Sequence, residues 1–139
     1  MNKFDMLTFD EIEKVLKIGK DFPLFKNISI DERMELLEKV FFTSKSKGEL
    51  IFSQGDDADF FLLVYSGKVL AYSKDNTKKT IVGLLKQGDF CGFKDVVNNK
   101  TFSITTKAWE DGKIIVFKKD IIDPIFKMHP EIKNSLQQL

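Results

Sequence analysis

The stretch with the clearest chemistry runs from Gly88 to Ala108 and reads Gly-Asp-Phe-Cys-Gly-Phe-Lys-Asp-Val-Val-Asn-Asn-Lys-Thr-Phe-Ser-Ile-Thr-Thr-Lys-Ala. A strand that ends in a glycine turn and enters a short helix makes a seat for an anion, because the first helical turn offers unpaired N–H groups and the positive end of a dipole. The candidate ligand-contacting residues are Gly92, Phe93, Lys94, Asp95, Lys100, Phe102, Ser103 and Ile104. Lys94 and Lys100 could each meet a phosphate as a point charge, though without arginine's planar fork, and solvated loop lysines are the plainer reading of both. Asp95 adds a carboxylate, which in a short helix projects from a different face than Phe93.

The other reactive residue types are sparse. Cys91 is the single cysteine, so an internal disulfide and a Cys-rich metal site are excluded, and a buried structural thiol is expected. His129 is the single histidine, expected as a capping or surface residue before the last helix. With one histidine and no P-loop or paired carboxylates, no catalytic residue and no metal ligand is assigned, and the chain is not expected to be an enzyme.

At 139 residues the chain is read as one domain, with 22 Lys plus Arg against 21 Asp plus Glu. That balance gives no basic field to gather nucleic acid or an anionic membrane. Arg33 is the sole arginine and lies in the N-terminal helical part, away from the candidate seat. No run approaches the ~18 apolar residues of a membrane span, and Met1 to Phe9 lacks the pattern of a secretory signal, so a cytoplasmic protein is expected. Fourteen phenylalanines point to a bulky, dry core.

The elements that must position the seat follow from periodicity. Residues 1–42 read as a helical part. Phe9 to Lys20 places Ile12, Val15, Leu16 and Ile18 near helical spacing, with Thr8 or Asp10 as cap and an end near Gly19. Phe22 to Phe25 reads as an extended connector around Pro23. Ser29 and Glu32 form a capping box for a second helix with an apolar stripe of Met34, Leu36, Leu37, Val40 and Phe41. Residues 43–118 read as short strands broken by glycine-bearing turns, after a polar turn at Ser44 to Gly48. Asp111-Gly112 reads as a type I′ hairpin turn. Residues 119–139 return to helix around Pro124 and from Pro130.

Five pieces in this order resemble the cyclic-nucleotide-binding domain family: Pro23-Leu24-Phe25; Gly48-Glu49-Leu50-Ile51-Phe52 with Gly55-Asp56; Phe61-Leu62-Leu63-Val64 leading to Ser66-Gly67-Lys68-Val69; Gly88-Asp89-Phe90 with Gly92; and His129-Pro130-Glu131. The resemblance implies a mainly β fold with flanking helices, a double-stranded β-helix or jelly-roll-like β-roll with N-terminal helices and a short C-terminal helix. It also makes residues 88–108 a phosphate-binding cassette. Members that bind cyclic nucleotides carry a glutamate after the cassette glycine and an arginine nine residues further on. Here those positions hold Phe93 and Phe102, followed by Ser103.

The expected function is therefore a stand-alone regulatory sensor or interaction module that does not bind cAMP or cGMP in the usual way and carries no cofactor. Two alternatives stay open: a cyclic-nucleotide receptor using Lys94 or Lys100, and a receptor for an apolar or aromatic small molecule lined by Phe93 and Phe102. The expected partners are a small-molecule ligand in the β-roll pocket, a protein, and a second copy in a homodimer. The chain stops at Leu139, so no DNA-reading helix is expected within it.

Overall fold

The computed structural model describes residues 5–139; Met1 to Phe4, which begin both the expected helical part and the stretch read for a signal, lie outside the described residues. The part expected to be helical opens instead on a two-residue strand, β1 (Asp5–Met6), and three helices follow: α1 (Phe9–Ile18), α2 (Pro23–Lys26) and α3 (Ile30–Leu37). Thr8 caps α1, accepting from Glu11 N–H while the Glu11 carboxylate accepts from Thr8 N–H at 2.8 Å. Ser29 and Glu32 exchange the same pair of bonds at the start of α3. Each box satisfies two donors that an uncapped helix leaves open.

Two further expectations at this end need correction. The Phe22 to Phe25 segment is not extended throughout: Phe22 is, at ψ 132°, but Pro23 sits at the first helical position and opens α2. Proline's fixed φ suits that position, and the restriction it imposes falls on the residue before it. The apolar stripe of α3 also stops early, at Leu37 with Glu38 as cap. Phe41 instead begins strand β2 (Phe41–Lys45), where it faces Val116 across an antiparallel ladder. Aromatic and β-branched residues in Val40-Phe41-Phe42 suit a pleated surface, so pairing wins over helical spacing. The polar turn accordingly shifts to Ser46 through Glu49, closed by Glu49 N–H on the Ser46 carbonyl at 2.9 Å.

The roll consists of two antiparallel sheets. One runs in the order β1 (Asp5–Met6), β2, β9 (Gly112–Lys118), β4 (Phe60–Ser66), β7 (Phe90–Cys91). The other runs β3 (Leu50–Phe52), β8 (Thr105–Ala108), β5 (Val69–Lys74), β6 (Lys79–Leu85). Helix α4 (Phe93–Val97) interrupts the strands between β7 and β8, and α5 (Lys119–Met128) and α6 (Pro130–Gln137) follow β9. Among the described residues no helix is long and apolar enough to cross a membrane.

The hairpin expected at Asp111-Gly112 does not form. Strand β8 lies in the second sheet and β9 in the first, so this segment carries the chain between sheets, and neither residue has a positive φ. Gly112 is needed for a different reason. A Cβ there would run into the Ser66 carbonyl oxygen, and one on Gly67 would meet the Asp111 oxygen at 2.5 Å. The β4–β5 turn and the β8–β9 crossing touch backbone to backbone, which only glycine permits.

Neighbouring residues of a strand face opposite sides, and β4 uses this to serve two aromatic clusters. Phe61 stacks on Phe117 at 4.9 Å in a group that reaches Phe22, Phe25 and Phe90 on the helical side. Phe60 belongs to a second group with Phe52 and Phe102. Each buried ring contributes about 1.5–3 kcal/mol through area removed from water.

Candidate functional site

The cassette is built on one backbone turn. Gly92 caps α4 in the left-handed region at φ 90°, a conformation that costs a residue with a Cβ. The helix it opens is short, five residues from Phe93 to Val97, with Val96 and Val97 buried beneath it. Strand β7 anchors the approach: Leu62 pairs with Cys91 and Leu63 with Phe90.

The two phenylalanines part company. Phe102 is 2% exposed, stacks on Phe52 at 3.8 Å with the planes 15° apart, and meets Phe60 edge-on at 5.7 Å. A Cβ on Gly92 would lie 3.2 Å from the Phe102 ring and 3.4 Å from Phe52, so these rings cover the glycine directly. Phe93 is half-buried and meets Phe22 edge-on at 5.2 Å, on the helical side. It lines a shallow cleft of about 340 Å³ with Phe22, Phe90 and Leu139, from which Phe102 is absent. The two rings therefore do not share a described cavity, as the receptor alternative would have them do.

Asp95 and Ser103 come together. Asp95 Oδ2 accepts from the Ser103 backbone N–H at 3.0 Å and from the Ser103 hydroxyl at 3.0 Å. The two donors of Ser103, which lies two residues before β8 in the second half of the cassette, are thus held by a carboxylate of the same chain. Lys94 and Lys100 are exposed and have no side-chain partner among the described residues. Ile104 is half-buried against the core.

Cys91 is buried beside the turn. Burial pushes its thiol up to about 12, and the Asp95 carboxylate adds to the shift, so it stays protonated at neutral pH. His129 is the capping residue between the last two helices: its N–H closes α5 on the Ile125 carbonyl at 2.8 Å and it stands as N-cap of α6, though without a side-chain cap bond. Its Nε2 lies 2.8 Å from Glu32, which ties the α5–α6 junction to α3, and its Nδ1 lies 3.4 Å from Glu131. The hydrogen bond to Glu32 raises the histidine above its ordinary value and lowers the glutamate below its own. Glu32 was visible in the sequence as half of a capping box, but its second role depends on a residue far along the chain. Among the described residues no group of His, Cys, Asp and Glu is placed to hold a metal ion.

A family model described as cyclic nucleotide-binding domain matches residues 42–129. The chain is 28% identical over 92 residues to the cAMP-dependent protein kinase regulatory subunit of Mycosarcoma maydis, covering 66% of this chain and 18% of that protein. It is also 28% identical over 95 residues to lysophospholipase nte1 of Aspergillus niger, covering 68% of this chain and 6% of the relative. The chain therefore spans a small part of these curated relatives. The regulatory domain of Toxoplasma gondii PKA, solved with cAMP, is similar with a TM-score of 0.81 at 15% identity, covering 86% of this chain and 46% of that one.

Proposed function

The chain belongs to the cyclic nucleotide-binding domain family, and from that premise we propose that it is a regulatory module whose cassette does not hold cAMP or cGMP in the usual way. The observation that carries this reading is Asp95 Oδ2 on both Ser103 donors. A cyclic phosphate brought to those donors meets a like charge where an arginine would attract it. Phe102 supports the same reading, because a phosphate set against its ring sheds water without gaining a partner. Each hydrogen bond to a charged group contributes about 1.5–3 kcal/mol. The two anchors replaced by Phe93 and Phe102 are then worth about 3–6 kcal/mol together, or roughly two to four decades in affinity.

In this reading Gly92, Phe93, Asp95, Phe102, Ser103 and Ile104 keep the shape of the cassette rather than grip a nucleotide. The module acts by contact rather than catalysis, passing its signal to a protein partner, a second copy included, in the cytoplasm, where a lone cysteine stays a thiol. Isothermal titration with cAMP and cGMP tests it: no saturable heat is expected below millimolar ligand, and micromolar or tighter binding overturns it.

The exposure of Lys94 and Lys100 beside the cassette favours one second reading, a rearranged cyclic-nucleotide site that uses their ammonium groups. Replacing both lysines with alanine would then abolish binding, and unchanged affinity rejects it.

A further inference from the structure

Away from the cassette, a cavity of about 650 Å³ opens between β2, β9 and the first turn of α5. None of the cassette candidates lines it. Its apolar walls are Ile51, Phe60, Ile114 and Val116, and its volume falls within the roughly 300–1,000 Å³ of small-molecule sites. Two polar residues interrupt those walls. Thr43 and Lys45 are two apart on β2 and so project from one face of the strand.

Both lack something to bind. Thr43 is 3% exposed and its Oγ1 has no hydrogen-bond partner, a rare state for a buried hydroxyl. Rotation about χ1 would exchange that hydroxyl with the threonine methyl and turn it to the cavity, a change that β-branching makes stiff and that a hydrogen bond to a ligand has to offset. Lys45 is half-buried, and its ammonium has no partner among the described residues. The other charges at the cavity are accounted for. Lys119 pairs with Asp123 at 3.0 Å, the Lys118 ammonium lies 5.2 Å from the centre of the Phe41 ring, and Asp59 and Asp120 are exposed to water. Thr106, the other unpartnered buried hydroxyl among the described residues, does not line the cavity.

The geometry points to this cavity as a binding site for a small amphipathic monocarboxylate. An aromatic or branched body packs against Ile51, Phe60, Ile114 and Val116, and the carboxylate accepts hydrogen bonds from the Lys45 ammonium and the Thr43 hydroxyl. One half-buried free cation calls for one negative charge, and the exposed Asp59 and Asp120 at the rim oppose a dianion such as a phosphate. A cationic ligand finds no free half-buried carboxylate, since Asp123 already holds Lys119. The site is separate from the cassette and holds whether or not the cassette takes a nucleotide.

Amide- and methyl-resolved NMR titration with phenylbutyrate, phenylbutanol and phenylbutylamine tests this. The acid is expected to give saturable shifts at Thr43, Ile51, Ile114 and Val116, with the alcohol at least about tenfold weaker and the amine silent. Lys45→Met brings the acid down to the affinity of the alcohol and leaves the alcohol unchanged. Thr43→Val keeps or raises the melting temperature, because an apolar group of the same shape replaces an unpaired hydroxyl, while affinity for the acid falls. The proposal is overturned by shifts confined to Phe93 through Ser103, by equal affinity for acid and alcohol, by binding of the amine, or by no saturable shift with any probe.

Discussion

Phe102→Ala is the perturbation that reports most directly on how the cassette is filled. The ring is 2% exposed, stacked at 3.8 Å on Phe52 and edge-on to Phe60 at 5.7 Å, so its removal empties a close-packed space from which two aromatic neighbours lose their partner. Buried Phe→Ala changes cost about 3–5 kcal/mol, and the loss of two ring contacts places this one near the middle, at about 4 kcal/mol. Unfolding entropy of about 2.1 cal/mol/K per residue amounts to about 0.29 kcal/mol/K over 139 residues, which converts 4 kcal/mol into a fall of about 14 °C in Tm. Urea unfolding followed by circular dichroism is the primary assay, with thermal melts beside it. Phe102→Leu, which keeps most of the volume, serves as the control and should lose less than about 2 kcal/mol. A loss below about 1 kcal/mol for the alanine variant would refute the reasoning, because the ring would then be lining space rather than filling it.

Three further outcomes are expected. Asp95→Asn exchanges a charged acceptor for a neutral one at exposed Ser103; after discounting for solvent, it costs about 1 kcal/mol, and the Ser103 amide resonance moves upfield, whereas an unmoved resonance would remove Asp95 from its role. The Glu32–His129 contact makes stability pH-dependent from both sides. The lowered Glu32 contributes fully above its ordinary 4.5 and loses that contribution as pH falls through its folded value; the raised His129 contributes fully below its ordinary 6.5 and loses it as pH rises through its own. Melting temperature should therefore decline as pH rises above the ordinary histidine value of 6.5 in the parent and decline less in His129→Ala, and parallel curves would contradict the assignment. Gly112→Ala forces a Cβ into the Ser66 carbonyl and should cost about 1–3 kcal/mol by chemical unfolding, while a neutral effect would mean the two backbones part easily.

Much of the roll is legible in the sequence, because its turns are marked by glycines and its strands by short apolar runs. Gly48, Gly55, Gly67, Gly88 and Gly92 do adopt positive φ. The capping box at Ser29 is equally local, since donor and acceptor lie three residues apart, and Thr8, one of the two caps the sequence offers for α1, forms a box of the same kind. What fails is information held by distant partners. Val40 and Phe41 fit a helical stripe as well as a strand, and only pairing with β9 decides between them. Asp111-Gly112 has hairpin chemistry, yet its flanking strands choose partners in different sheets. At the cassette, the proposal that both charged anchors are replaced rests on Phe93 and Phe102 as the sequence shows them, but the capture of Ser103 by Asp95 depends on how a loop folds back. Thr43 and Lys45 look like any polar residues on a strand, and nothing short of the packed roll shows one hydroxyl and one ammonium left without partners.

The stacking of Phe22 on Phe90, at 3.7 Å and nearly parallel, joins the start of α2 to strand β7 within the cassette, and Phe93 closes the group edge-on. A ligand that displaces Phe93 must therefore disturb Phe22. Binding energies are reciprocal, so if a partner gripping α2 changes the affinity for a cassette ligand, that ligand changes the affinity for the partner by the same factor. Such a module can be read backwards: a protein gripping its helices could set the state of the roll, with the cassette serving as the responding end rather than the input.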